Sequence, residues 1–136
     1  MRYHNITKDD MLNGEGLRTV LWVAGCSHHC PQCHNPVTWD INGGLVFDEQ
    51  AKEELFEELK KDYVSGVTFS GGDPFHLENR EEICHLSFLS NIDVIVDGKF
   101  KIEEKDNNLH WKGSANQRVI DVKASLRAGE VRLYQE

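Results

Sequence analysis

Cys26, Cys30 and Cys33 stand in the spacing Cys-x3-Cys-x2-Cys, and Ser70-Gly71-Gly72-Asp73-Pro74 follows downstream. Three thiolates supply one ligand fewer than closes a four-coordinate structural site. A metal centre held by three protein ligands keeps a position for something that reacts. Cysteine thiolates hold iron–sulfur clusters, normally four to a cluster, so a three-cysteine loop suggests a cubane with one iron left for a small molecule. The Gly-Gly-Asp-Pro turn is a plausible second half of that molecule's site. Glycines permit positive φ and close backbone approach. Exposed amides and carbonyls there can hold an amino or carboxylate group, and Asp73 can accept from an ammonium.

Two alternatives stay open on these residues alone. The cysteines also suit structural zinc, with His34, His28, His29 or Cys84 as fourth ligand. The glycine turn by itself is an ordinary strand-to-helix loop. The two motifs together carry more than either alone.

The elements that must position them are readable from periodicity. Thr19–Ala24 is a nearly continuous apolar, β-branched run, hence a buried strand, and Gly25 breaks it just before the cysteines. Asp48 is an N-cap for a helix to about Lys61, with Ala51, Leu55, Phe56 and Leu59 on its apolar stripe. Gly66–Ser70 is a second strand opening into the glycine turn. Asn79 caps a helix through Leu86, with Ile83 and Leu86 inward. Ile92–Asp97 is a third strand closed by Gly98. Arg118–Val122 and Val131–Tyr134 read as two short strands around Gly129. Strands alternating with helices imply an α/β fold with a parallel sheet. In such sheets ligands gather outside the carboxyl ends of the strands, where both motifs fall.

The remaining chemistry-bearing residues receive plainer expectations. Cys84 is expected as a buried thiol, and His76, His85 and His110 as surface or loop residues. Glu53, Glu54, Glu57 and Glu58 are expected on the solvated face of their helix. Trp111 is expected to pack against the tail; Asn116, Gln117 and Arg118 belong either to that packing or to a docking surface.

Bulk properties narrow the class. The 136 residues suit one domain, 1–136, with its own core. A net charge of −8 argues against nucleic acid as the main partner. No apolar run approaches the ~18 residues of a membrane span, and no signal-peptide pattern opens the chain. A chain without an export signal meets a reducing cytoplasm, where clustered cysteines more often bind metal than form disulfides.

Three stretches carry a resemblance to a known family: Asn13–Arg18 leading into Gly25–Asn35, then Thr68–Phe75, then Val96–Gly98 with Trp111–Val122. With them the chain resembles the radical S-adenosylmethionine enzymes. Within that superfamily it is similar to the glycyl-radical activases that serve the anaerobic ribonucleoside-triphosphate reductase. The Gly113-Ser114-Ala115-Asn116-Gln117-Arg118 stretch points to this branch rather than to the formate acetyltransferase type.

The resemblance implies a compact partial (β/α) barrel, with a [4Fe–4S] cluster on Cys26, Cys30 and Cys33. It implies S-adenosylmethionine on the open iron, its reductive cleavage, and a glycyl radical on the large subunit of the reductase. Ser70, Gly71, Gly72 and Asp73 match the turn that receives the methionine amino group. Gln32, Cys33 and His34 match positions near the adenosine. Flavodoxin is the electron donor the family suggests. One departure stands out. The family usually carries another strand–helix unit of roughly thirty residues before the strand at Ile92, whereas Leu86–Asn91 passes straight across. Either the chain is shortened there or the sequence skips a stretch.

Overall fold

The computed structural model describes residues 1–86 and 92–135. They divide into two units, Met1–His29 with His34–Ile83, and Cys30–Cys33 with Cys84–Glu136. The junction where a further strand–helix unit was expected lies largely in 87–91, outside the described residues.

In the first unit, four strands pair in the order β3-β1-β2-β4. Strand β2 (Leu17–Val23) is central, and its Thr19, Val20, Leu21 and Val23 are fully buried. That is the solution a continuous apolar run demands, since neither face can meet water. β4 (Val64–Gly71) lies parallel to β2, with Val20 opposite Thr68 and Val23 opposite Gly71. On the other side β1 (Arg2–Asp10) runs antiparallel to β2, and β3 (Leu45–Val46) lies antiparallel to β1 at the edge. The sheet is therefore mixed. A short loop from β1 to β2 permits only antiparallel pairing, whereas β2 reaches β4 by a long crossover that includes a helix.

That helix, α1 (Glu49–Leu59), starts where the Asp48 carboxylate accepts from the Ala51 amide at 2.9 Å. Ala51 and Leu55 are buried as expected, but two neighbours exchange roles. Phe56 is 44% exposed, while Glu58 is only 7% exposed. At 100° per residue Phe56 lies about 140° round from Ala51, and Glu58 falls almost in line with it. The buried carboxylate is matched by Lys61 at 2.8 Å and Lys8 at 3.7 Å. The hydrogen bond from Lys61 holds the Glu58 carboxyl below its ordinary range, against the opposing effect of burial. Helix α2 (Arg80–Leu86) buries Ile83 and half-buries Leu86. Cys84, one step further round than Ile83, is exposed rather than buried.

In the second unit β5 (Val94–Asp97) pairs antiparallel with β6 (Arg118–Asp121). A helix then begins where the sequence suggested none: α3 spans Val122–Ala128. Asp121 caps it, accepting from the Ala124 amide at 2.7 Å, and Gly129 closes it in the left-handed conformation at φ 70°. Residues 131–134 form no strand of their own. They lie against β6 through one bridge, Leu133 to Ile120, and the bond from Tyr134 N–H to the Val119 carbonyl.

Candidate iron–sulfur site

Because β2 and β4 are parallel neighbours, their carboxyl ends leave the sheet together. Gly25 N–H donates to the Thr38 carbonyl at 2.7 Å and Cys26 N–H to the Trp39 carbonyl at 3.1 Å. The chain returning through the short 3₁₀ turn Pro36–Thr38 thus pins the entry of the cysteine segment. From β4, the Gly72 amide donates to the Val23 carbonyl at 2.9 Å and the Asp73 amide to the Gly25 carbonyl at 2.8 Å. The glycine turn is therefore bonded directly onto Val23 and Gly25, three residues and one residue ahead of Cys26.

Glycine is required there for closeness. A Cβ at Gly72 would stand 2.6 Å from the Gly25 carbonyl oxygen and 2.9 Å from that of Thr38. Gly71 adds a backbone demand, with φ at +103°. These contacts change one expectation. The amides of Gly72 and Asp73 serve the backbone, so the acceptors are what this turn presents to a ligand. The Asp73 carboxylate takes the Phe75 amide on Oδ1 at 2.9 Å and stands 3.4 Å from His28 Nε2 through Oδ2. A carboxylate has about four acceptor positions, so these neighbours do not exhaust it. Ser70 lies within β4 opposite Trp22.

Around the cysteines, His29 stacks on Trp39 with ring centres 4.5 Å apart, and His28 and His34 are exposed. Cys26 belongs to the first unit. In the second, Cys33 N–H closes a turn onto the Cys30 carbonyl at 3.1 Å, with the exposed Gln32 held at φ 58°. None of the four cysteines is in a disulfide. Thiolates are the ligand class of iron–sulfur clusters, and this segment repeats them at ligand spacing, so its donor set fits such a cluster. Among the described residues no three His, Cys, Asp or Glu side chains are already gathered into a metal-holding group.

The run near the tail resolves as internal bonding. The Gln117 side-chain oxygen accepts from the Gly113 and Ser114 amides, and its nitrogen donates to the Gly98 carbonyl at 2.9 Å. Asn116 donates to the Lys99 carbonyl at 2.8 Å. Arg118 grips Asp97 through two parallel bonds, which hold the Asp97 carboxyl below its usual range. Trp111 packs between His110 and Tyr134. The residues that mark the family branch thus tie the β5 exit to the strand that pairs with it.

A family model described as a 4Fe-4S single cluster domain matches residues 12–87 and 81–120. The anaerobic ribonucleoside-triphosphate reductase-activating protein of Enterobacteria phage T4 is 36% identical over 146 residues, covering 88% of this chain and 93% of its own. The chain belongs to this family. Its members from Haemophilus influenzae and Escherichia coli K12 are each 33% identical over 150 residues, covering 88% of this chain and 97% of theirs. Since 88% of 136 residues is about 120, about 26 of the 146 positions aligned with the phage protein have no counterpart here. No solved structure matches the chain. Among the described residues no helix is long and apolar enough to cross a membrane.

Proposed function

We propose that this protein is a cytoplasmic radical S-adenosylmethionine activase of anaerobic ribonucleoside-triphosphate reductase, built as a shortened partial (β/α) barrel. The observation that carries the reading is the seating of Gly72 and Asp73 on Val23 and Gly25, immediately ahead of the first cysteine. Cys26, Cys30 and Cys33 would hold the [4Fe–4S] cluster. When bound, it supplies one electron to the sulfonium of S-adenosylmethionine, giving methionine and a 5′-deoxyadenosyl radical that takes a hydrogen atom from a glycine of the reductase.

The chain's own residues do the rest. The Asp73 carboxylate accepts from the ammonium of the methionine moiety, beside His28. Glycines at 71 and 72 bring that carboxylate to the cysteine segment's entry without intervening side chains. Gln32 and His34 flank the adenosine. A flavodoxin-type protein is the electron donor.

The test is anaerobic reconstitution, followed by mixing with the reductase large subunit, S-adenosylmethionine and dithionite. Metal analysis should find about four irons and four sulfides per chain. Electron paramagnetic resonance should show a glycyl radical, and Cys30→Ala should abolish it. One zinc and no iron, or a normal radical signal from Cys30→Ala, would refute the proposal.

A further inference from the structure

Asn79 was expected to cap α2, and the structure gives its side chain a different task. It is fully buried, at 0% exposure. Its Nδ2 donates to the Ala24 carbonyl at 2.7 Å and to the Asp73 carbonyl at 3.1 Å. Both partners are acceptors only, so the amide must present its nitrogen to them. Its Oδ1, the atom a cap would use, is buried without a hydrogen-bond partner. One side chain therefore bridges two backbone turns that are far apart in sequence: the exit of β2, two residues before Cys26, and the glycine turn after β4.

The surroundings make this bridge hard to replace. Ile41 fills the space beside Gly25, where a Cβ would meet its Cδ1 at 2.4 Å, and the Asn79 Nδ2 lies 3.5 Å from the same point. Two backbone bonds, from the Gly72 N–H to the Val23 carbonyl and from the Asp73 N–H to the Gly25 carbonyl, cross the same junction. The amide supplies the third link and the sole side-chain donor to either carbonyl among the described hydrogen bonds. The Asp73 carbonyl keeps the His76 N–H at 3.0 Å, so the cost of losing the amide falls on the Ala24 carbonyl, since a buried acceptor is costly to leave unpaired.

We infer that Asn79 is a positioning residue, a clamp that sets the separation between the start of the cysteine segment and Asp73 and so tunes the affinity for S-adenosylmethionine. This rests on the proposed function for its ligand and on the structure for its geometry. Residues that orient a metal's ligands from outside typically change metal affinity or activity by roughly 10–100-fold when replaced, and a clamp of this kind is expected to act on a similar scale.

The test compares wild type with Asn79→Asp, which keeps the shape but turns a carboxylate toward two carbonyls. Asn79→Ser, a smaller side chain that keeps one donor, is the second variant should the first not fold. Hydrogen exchange on the unliganded chain reads the clamp directly. The Gly72, Asp73 and Cys26 amides should lose protection by about tenfold or more relative to those of α1. Equal loss across the unit, or none at the three amides, would overturn the clamp.

Equilibrium dialysis of the reconstituted protein with S-adenosylmethionine reads the consequence. The dissociation constant should rise by roughly tenfold or more, with iron and sulfide content unchanged. In 5′-deoxyadenosine formation without the reductase, KM should rise more than kcat falls. Wild-type affinity in a variant whose three amides exchange freely would overturn the link to the ligand. A wild-type protein that takes up its cluster yet binds no S-adenosylmethionine would instead sink the proposed function, while the exchange data still decide the clamp.

Discussion

Replacing Gly72 by alanine tests how tightly the glycine turn is seated. The added methyl would lie 2.6 Å from the Gly25 carbonyl oxygen and 2.9 Å from that of Thr38, both backbone atoms that cannot swing aside. Those two segments are themselves joined by the 2.7 Å bond from Gly25 to Thr38. Relief must come from moving the turn outward by about half an ångström, since close-packed interiors yield little. That motion stretches the bonds from Gly72 to Val23 and from Asp73 to Gly25. Overpacking of this kind costs about 1–3 kcal/mol, and weakening one buried hydrogen bond adds about 1 kcal/mol. A loss of about 3 kcal/mol corresponds to a fall in Tm of roughly 10 °C for a chain of this size. Gly129→Ala is the scale marker, because nothing lies within 4 Å of its Cβ and only its φ of 70° is strained. It should cost about 1–2 kcal/mol. Thermal unfolding followed by circular dichroism measures both. A Gly72→Ala protein that melts with wild type would show that the turn does not rest on the β2 exit.

Two further outcomes follow from the described contacts. Glu58→Gln should matter most at neutral pH. The folded carboxyl lies below its ordinary value of 4.5, through the hydrogen bond from Lys61, so its contribution exists above that pH and is lost as pH falls through the folded value. Melting curves of the two proteins should therefore converge in acid, and a gap independent of pH would contradict the pairing. Asp121→Ala removes the cap of α3 and should cost about 1 kcal/mol in urea unfolding, with amide exchange rising at Ala124; unchanged exchange there would contradict the cap.

Signals written in adjacent residues were legible. The cysteine spacing, the Asp48 cap with Ala51 and Leu55 beneath it, and the apolar run of β2 each depend on a few neighbours and on one period. The tail shows the limit of such signals. Asp121 and Gly129 bracket α3 with the residues a helix prefers at its two ends, yet the β-branched runs beside them read as strands. β1 escaped notice because its alternation is broken, with pairing shifts between Tyr3 and Asn5 and between Thr7 and Asp10. Each shift turns the following side chains to the other face.

Residue types and their order determined the family, the three thiolates, and the placing of both motifs just after apolar strands, because short-range periodicity and spacing are properties of the chain itself. Pairing between distant segments decided the rest. Only the folded neighbours show that β1 makes the sheet mixed, that Glu58 is buried beside two lysines while Phe56 faces water, and that Asn79 bridges Ala24 and Asp73. The amides of Gly72 and Asp73 went to backbone carbonyls for the same reason. A polar group's role is set by which partner reaches it first, and that depends on segments some fifty residues away.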